Sequence, residues 1–462
     1  MELKEAQDEL IKLKLKEEFM TVEYTKKVFG RHKSVLDLSN HYIFENSCEF
    51  LCNLLKRYFK KKLSIKALIL QNCMLSFEVL NKILKTFQSA EKDSGLRVLD
   101  LGNNRLAFTA KATYAISELF SKVSLNKAKS IILQGNILQS GEAMEALFSH
   151  NFSLLKLNLY DSNLSSEALL AISDILAQNR SIQHLNLGFN SQAFLDHEIV
   201  SRFAISLGCN RYIEELILSG NESLSDVTVF EAFCKEIHEN RSLNHIALGG
   251  IGFGDSGITI IISTFLNEMP LSSLDLQNNH ITEIGFCDLI DSLPEVITSL
   301  DVSYNNFNEN SALFALSALL LESRSLRKLN ISHSVEIENL DMLAIEKLCE
   351  SLTQNDSLSE FICEGVKISE DPDEFCRQVN EAIANRKLSL TYKVSAVNCF
   401  TNESTNRRLD SSSVSHTPKR MISNVPSCSN SAVSREAPED SNSQTERKEY
   451  VDSLNQELSN SL

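Results

Sequence analysis

Residues 96–106 read LRVLDLGNNRL, and the same spacing returns at 271–281 as LSSLDLQNNHI and at 297–307 as ITSLDVSYNNF. All three fit the pattern L-x-x-L-x-L-x-x-N-x-L, whose residues we number as positions 1 to 11. The alternation of apolar residues at positions 4 and 6 is typical of a short strand with one buried face. The Asn at position 9 is suited to satisfy backbone groups where the chain turns off the strand. Each copy therefore predicts a strand followed by a turn.

The pattern extends over most of the chain. Twelve first positions follow one another at spacings of 26 to 32 residues: Lys33, Ile65, Leu96, Ala128, Leu154, Ile182, Ile213, Leu243, Leu271, Ile297, Leu326 and Leu358. Between them lie segments of helical period, of which 168–176 is an example. Several of these segments end at an Asn, as at Asn179, Asn240 and Asn355, where we expect the left-handed conformation that Asn tolerates. Position 9 is not Asn at Cys73, Ser162, Ile251, Ser334 and Val366, and these repeats should stack more loosely.

A strand and a helix every ~28 residues resemble the ribonuclease-inhibitor subtype of leucine-rich repeats. The resemblance covers 32–395. It implies an α/β solenoid, a horseshoe with parallel strands on the concave face and helices on the convex face. It also implies protein binding as the usual role, without naming a partner.

The two ends have different compositions. Residues 1–31 place Leu3, Ala6, Leu10, Leu13 and Met20 on one helical stripe, which predicts an N-terminal cap over the open core end. A coiled-coil arm is the alternative, although Glu17 interrupts its seam. At the other end we expect a last helix near 375–383 and a closing edge strand through Tyr392. Residues 396–462 are rich in Ser and Asn without an apolar period, so we predict a disordered tail.

The composition argues against nucleic-acid binding, metal binding and a membrane span. The 462 residues carry a formal charge of −16, which disfavours non-specific nucleic-acid binding. The eleven cysteines form no CxxC motif, and the histidines lack zinc-ligand spacing, so we predict no metal site and no cofactor. No apolar run is long enough for a membrane span, and the first residues do not read as a secretory signal. A cytoplasmic, reducing location is therefore the expectation.

Two motifs have ordinary structural explanations. Residues 252–257 read GFGDSG, which matches the G-x-G-x-x-G fingerprint of dinucleotide-binding proteins, but they fall where a repeat turns into its helix. The basic run 56–62 falls at a predicted helix end, where cations complement the helix dipole. No phosphate-binding loop or catalytic constellation is present in the sequence, so we predict a protein without enzymatic activity.

The strand face is the predicted binding surface. Positions 3, 5, 7 and 8 point away from the core, and we call the surface they form the strand face. Across the repeats these positions hold eight acidic residues against Lys156 and Lys328, which favours a partner with a basic surface. The candidate partner-binding residues are Asp100, Tyr160, Asp161, His184, Phe189, Glu215, Asp275, Asp301 and Tyr304.

Two other functions remain open at this point. Ran GTPase-activating protein has similar repeats and uses an Arg on an early repeat loop, a place that Arg105 occupies here. The end of the chain, from Glu446 to Glu449 onward, is similar to a type IV translocation signal. That likeness would make the protein a bacterial effector secreted into a host cell without a cleaved signal peptide. The sequence does not specify an oligomeric state.

Overall fold

A computed structural model describes residues 35–60, 65–89, 96–121, 129–149, 153–368, 372–385 and 391–397, all within one compact unit. The strands are β1 Val35–Asp37, β2 Ala67–Ile69, β3 Val98–Asp100, β4 Lys129–Ile132, β5 Leu154–Asn158, β6 His184–Asn186, β7 Glu215–Ile217, β8 His245–Ala247, β9 Ser273–Asp275, β10 Ser299–Asp301, β11 Lys328–Asn330, β12 Glu336–Ile337, β13 Glu360–Ile368 and β14 Thr391–Val397. The helices are α1 Glu45–Lys60, α2 Phe77–Gln88, α3 Ala110–Ser121, α4 Gly141–Phe148, α5 Ser166–Leu176, α6 His197–Cys209, α7 Val227–Ile237, α8 Gly254–Thr264, α9 Glu283–Asp291, α10 Asn310–Glu322, α11 Met342–Gln354 and α12 Pro372–Ala384.

The strands form one parallel sheet in chain order from β1 to β11, followed by β13. Position 4 of each repeat pairs with position 4 of the next, from Leu36 with Leu68 through to Leu329 with Phe361. The strand pairing therefore agrees with the predicted repeat register from Leu36 to Phe361, while the first positions Lys33 and Ala128 lie outside the described residues. Parallel strands need a crossover, and a helix supplies it in each repeat. The fold is an α/β leucine-rich-repeat solenoid, with strands on one face and helices on the other.

A single continuous core lies between the two layers. The strand side contributes the apolar residues of positions 4, 6 and 11, and the helices contribute one apolar stripe each. Serine, threonine and aspartate begin many of the helices, because their side chains accept hydrogen bonds from the first free backbone amides. These N-caps are Ser76, Ser140, Ser165, Asp196, Asp226, Thr282 and Asp341.

The Asn side chains at position 9 join successive repeats, and we call them the asparagine ladder: Asn104, Asn136, Asn190, Asn221, Asn279 and Asn305. All are buried. The Nδ2 of Asn190 donates to the carbonyls of Leu159 in the preceding repeat (2.8 Å) and Leu187 in its own repeat (3.0 Å). Its Oδ1 accepts from the amides of Ser162 (3.0 Å) and Leu164 (3.1 Å). One amide side chain thus satisfies four buried backbone groups.

Where position 9 is Ser or Cys, the side chain makes only some of these hydrogen bonds. Ser162 donates to Leu133 O at 3.1 Å and Cys73 donates to Leu38 O at 3.0 Å. A hydroxyl cannot donate to two repeats and accept from two amides with the geometry of a carboxamide. This supports the expectation that these repeats are joined less firmly.

A second set of asparagines, at the helix ends, corrects our expectation of a left-handed conformation. Asn210 and Asn355 are extended, with φ −70° and −65°. They act through their side chains: Asn210 donates to Leu176 O of the preceding repeat at 2.9 Å and accepts from Ile213 N at 2.9 Å. The helix-end Asn is therefore a second link between repeats rather than a turn former.

The glycine motif is structural, as expected. Gly252 and Gly254 have positive φ in the turn after β8, and α8 begins at Gly254. The carboxylate of Asp255 accepts hydrogen bonds from the backbone and hydroxyl of Thr282 in the next repeat.

The C-terminal end is more elaborate than the repeat pattern predicts. β13 is nine residues long, pairs with β11 and β12 on one side, and pairs with β14 on the other. The predicted edge strand is confirmed at Thr391–Val397, where it passes the predicted boundary at residue 396. The predicted N-terminal cap (1–31), the closing residues Leu388 and Leu390, and 398–462 of the predicted tail lie outside the described residues.

We predict that Asn190→Ala lowers the free energy of unfolding by about 2–4 kcal/mol, because it leaves several buried backbone groups without partners. Ser162→Ala, at the same position of the preceding repeat, removes one donor and should cost about 1 kcal/mol. Urea unfolding of both variants measures the difference. Equal losses of stability in the two variants would contradict the larger contribution that we assign to the Asn190 carboxamide.

Candidate interaction surface

The candidate residues separate into two clusters on the strand face and one buried residue. The first cluster, on β5 to β7 and the turns after them, contains Tyr160, Asp161, His184, Phe189 and Glu215. The second, on β9 and β10, contains Asp275, Asp301 and Tyr304. Asp100 differs from the expectation, because its side chain is only 1% exposed.

The first cluster is built around two touching rings. The ring centroids of Tyr160 and Phe189 are 5.0 Å apart, and the rings are tilted by 49°. Phe189 is 52% exposed although it is a large apolar side chain. Glycines make room beneath the rings: a Cβ at Gly220 would lie 2.6 Å from the Phe189 ring, and one at Gly188 would lie 3.1 Å from Tyr160 Cδ2. The exposed Phe189 ring and the half-buried Tyr160 ring therefore form an apolar platform.

A histidine–glutamate pair lies beside this platform on the strands. His184 Nδ1 and Glu215 Oε2 are 2.5 Å apart across neighbouring strands, and both side chains are about one-third exposed. The hydrogen bond from His184 holds the pKa of Glu215 below its usual value, with smaller contributions from the charges of His245 and Lys156. Glu215 thus has three basic side chains near it, so it does not make this part of the strand face an acidic patch.

The second cluster pairs another exposed ring with two carboxylates. Tyr304 is 54% exposed and stacks on His333, with ring centroids 4.7 Å apart at 18°. Asp275 and Asp301 are register neighbours on the strands. Burial, and secondarily the charge of Asp301, raise the pKa of Asp275. His333 was not among the predicted residues. The sequence feature that could have identified it is an aromatic ring at position 8.

Position 8 carries the most informative backbone feature of the surface. All twelve residues there have positive φ, the left-handed conformation that costs a residue with a Cβ about 1–2 kcal/mol. Eight of them are Asn or Gly, which adopt it most easily. The other four are Asp161, Phe189, Tyr304 and His333, with φ of 48°, 57°, 57° and 56°. Bulky rings therefore occupy positions where this fold usually has Asn or Gly.

The position 5 acids also have a structural role, which the repeat pattern alone does not reveal. Asp275 Oδ1 accepts from the amide of Gln277 at 3.0 Å, and Asp301 Oδ1 accepts from that of Ser303 at 2.9 Å. Asn158 and Asn186 make the same bond two residues on, as do Asp37, Asp100 and Asn330. Because Asn serves equally well, the carboxylates count less toward a binding charge than we expected.

We predict that Asp275→Asn raises the free energy of unfolding at neutral pH. The raised pKa means that the ionised carboxylate destabilises the folded state above the folded pKa, and that this penalty disappears below the unfolded value of about 3.9. The Asn keeps the bond to Gln277. Thermal unfolding should show a higher Tm for Asp275→Asn than for the wild type at pH 7 but not at pH 3.5. An equal increase in Tm at both pH values would contradict the raised pKa of Asp275.

These features define a leucine-rich-repeat solenoid with an exposed strand face. Among the described residues there is no cluster of side chains able to hold a metal ion. No helix in the described ranges is long and apolar enough to cross a membrane.

No protein-family model matches the chain. It is 22% identical over 250 residues to Rho GTPase-activating protein gacW of Dictyostelium discoideum, covering 53% of this chain and 21% of that protein. It is 24% identical over 276 residues to human NACHT, LRR and PYD domains-containing protein 3, covering 54% and 26%. The chain thus spans about a quarter of the length of these relatives.

Two solved structures are similar at a low level. The Rad7 and Elc1 complex of yeast gives a TM-score of 0.36 at 15% identity, covering 72% of this chain and 92% of that one. The tropomodulin C-terminal domain of Caenorhabditis elegans gives 0.27 at 17% identity, covering 35% and 93%. The fold class therefore follows from the strand register and the asparagine ladder rather than from these likenesses.

Proposed function

We propose that the chain is a non-enzymatic scaffold that binds a protein partner on the strand face between β5 and β11. The observation that carries the proposal is the placement of Phe189 and Tyr304, exposed rings at left-handed positions. Backbone strain that the surrounding structure sustains at a surface site is a reason to infer function there. Exposed aromatic side chains are also the residues that most often dominate binding energy.

The dimensions suit such a role. Six strand spacings of ~4.8 Å separate β5 from β11, so the two aromatic clusters lie within a span of roughly 29 Å. A standard interface buries about 800 Å² on each partner, which a face of this width accommodates. The same proposal includes three further expectations. The repeats are of the ribonuclease-inhibitor-like subtype, the protein works in a reducing cytoplasm, and the partner binds on the concave face of the horseshoe.

We propose that the partner has a basic surface, although fewer acidic residues support this than the sequence pattern indicated. Asp161 is exposed at the first cluster, and Asp275 and Asp301 lie next to each other at the second, partly exposed. Glu215 and Glu360 are each within 4 Å of a cationic or titratable neighbour, His184 and Lys328. We therefore propose that the second cluster provides the electrostatic attraction for a basic partner, and that the aromatic rings of both clusters provide the apolar contact.

We predict that Phe189→Asn and Tyr304→Asn abolish partner capture without destabilising the protein. Asn is the residue that this fold uses at position 8, so relief of strain should offset the lost ring contacts to within about 1 kcal/mol. The measurement is affinity purification from the native cell with quantitative mass spectrometry, together with urea unfolding of each variant. The matched control is Ile205→Ala, which removes an exposed apolar side chain from α6 on the helix layer.

The same assay tests the charge assignment. Asp275→Asn with Asp301→Asn keeps both backbone hydrogen bonds, so it should slow association with the captured partner and flatten its salt dependence. Asp174→Asn on α5 is the control for a charge lost from the helix layer. If proteins captured by the wild type are retained by the strand-face variants and lost with the helix-layer controls, the proposed surface is wrong.

We also predict no stimulation of GTP hydrolysis. Arg105 is exposed in the turn after β3 with φ 54°, a position at which this fold also has Asn163 and His280. Its conformation therefore follows from the repeat. Hydrolysis by Ran with an equimolar amount of the chain should proceed at the intrinsic rate. An acceleration that Arg105→Ala removes would establish the GTPase-activating alternative.

A further inference from the structure

Helix α10 presents an apolar face to solvent. Phe314, Ala318 and Leu321 are separated by four and three residues, so they lie on one side of the helix. Phe314 is 37% exposed, Leu321 is 38% exposed, and Ala318 is exposed as well. The opposite side, which includes Leu313 and Leu316, is buried in the core. No residue of α10 before its last one is charged, and a helix that is apolar on both sides is normally covered on both.

The neighbouring helices extend this face. Ile284 in the first turn of α9 and Leu343 in the first turn of α11 are more than half exposed. The side chain of Asn310 joins the start of α10 to the start of α11, because its Oδ1 accepts from the amide of Asp341 at 2.9 Å. Single exposed apolar residues are ordinary on a protein surface, but a group of them on three adjacent helices forms a patch. We call these residues the α10 patch: Ile284, Phe314, Ala318, Leu321 and Leu343.

Carboxylates lie on both sides of the α10 patch. Helices α9 to α11 together contain one basic residue, Lys347, and six acidic ones: Glu283, Asp288, Asp291, Glu322, Glu346 and Glu350. Asp288 and Asp291 are exposed on α9, and Glu346 and Glu350 are exposed on α11. Lys347 Nζ lies 2.8 Å from Glu350 Oε2, so the single cation of these three helices is held by a carboxylate. The surface is therefore apolar in the middle and acidic at both margins.

A groove continues the acidic margin beyond α11. It has a volume of about 440 Å³ and lies between α11 and α12. Glu346 and Glu350 line it from α11, and Glu381 lines it from α12 and also pairs with Arg377 at 2.6 Å. Oxygen acceptors along a groove suit the cationic end of a long side chain, which can extend its hydrocarbon stem over the neighbouring apolar surface.

We propose that the α10 patch and the adjoining groove bind an amphipathic helix of a partner protein, one with Lys or Arg beside its apolar stripe. Phe314 and Leu321 are seven residues or ~10 Å apart along α10, which matches the i to i+7 spacing of apolar anchors on a second helix. The basic side chains of that helix reach the carboxylates of α9 on one side and those of α11 on the other. The surface is in the helix layer, so this inference does not depend on the function proposed for the strand face.

Charge distinguishes this occupant from two others. A second copy of the chain would place its own acidic margins against those of the first, and like charges brought together at an interface are unfavourable. The anionic surface of a membrane would be repelled by the same carboxylates. A basic amphipathic helix gains apolar contact in the middle of the surface and electrostatic attraction at both margins.

A synthetic peptide tests the proposal on the full chain. The probe is a fluorescein-labelled Leu/Lys helix of about 18 residues with Leu at i, i+3, i+4 and i+7, and the counter-probe has Glu in place of Lys. Fluorescence anisotropy should show that the Lys peptide binds about tenfold more tightly than the Glu peptide or better. Phe314→Asp with Leu321→Asp should weaken binding of the Lys peptide by about tenfold or more. This variant is more acidic than the wild type, so unchanged or tighter binding would mean attraction by charge alone and overturn the proposal.

Two further variants serve as controls. Ile205→Asp with Val227→Asp adds the same two charges at exposed apolar residues of α6 and α7, and it should not weaken binding of the Lys peptide. Asp291→Asn with Glu346→Gln leaves the α10 patch intact, and it should weaken binding severalfold and flatten the salt dependence. Unchanged binding in this variant contradicts the proposal, and the variant decides the question if Phe314→Asp with Leu321→Asp does not fold.

Photocrosslinking locates the bound peptide. With p-benzoylphenylalanine at a central Leu of the Lys peptide, irradiation should give adducts on Glu283–Asp291, Asn310–Glu322 or Met342–Gln354, identified by peptide mapping. Adducts confined to the strands, or none at all, overturn the proposal. Analytical ultracentrifugation of the chain alone should show no dimer that depends on Phe314. A dimer that Phe314→Asp dissociates would mean that a second copy occupies the patch, which also overturns the proposal.

Discussion

The carboxamide of the position 9 asparagine is the interaction on which the rest of this structure depends. A strand that ends after three residues and turns into a helix leaves buried amides and carbonyls at every repeat, and each would be costly without a partner. Asn190 satisfies such groups in its own repeat and in the preceding one with a single planar side chain. Because it bonds to both, it fixes where one repeat lies relative to the next. The positions of residues 7 and 8 on the strand face follow from that.

A second use of the same chemistry changes how the charge of the surface is understood. At position 5 an Asp or Asn oxygen accepts from the amide two residues later, so an acid there has a reason to exist without any partner. Counting carboxylates along the strand face overstates the attraction for a basic protein. The rings at position 8 have no comparable structural reason, since Asn and Gly adopt the left-handed conformation at lower cost. The aromatic residues therefore support the proposed binding surface better than the carboxylates do.

Local pattern was enough to predict the fold, and it was not enough to predict accessibility. The strand register from Leu36 to Phe361 was predicted correctly, because a strand with one buried face and a buried Asn leaves a period-two signature in the chain. Asp100 and Asp275 are identical in that signature, yet only Asp100 is buried, because the exposure of a residue depends on the surrounding structure as well as on the local pattern. The helix-end asparagines were misjudged for a related reason: their bonds reach Leu176 and Leu320 of the preceding repeats, more than thirty residues away. His333 was missed because its ring contact is with the neighbouring repeat.

The strained rings and the ladder are adjacent in sequence, and this connects stability with binding. Phe189 immediately precedes Asn190, and Tyr304 immediately precedes Asn305, so each strained residue is followed by a carboxamide that bonds two repeats. In a solenoid, stability is close to a sum of repeat terms and nearest-neighbour terms, so an unfavourable conformation must be sustained locally. The ladder asparagine provides that support at the next residue. Asp161 and His333 precede the serines Ser162 and Ser334, whose hydroxyls make fewer bonds. The most exposed rings thus lie where the backbone is held most firmly, which is the arrangement that a rigid binding surface requires.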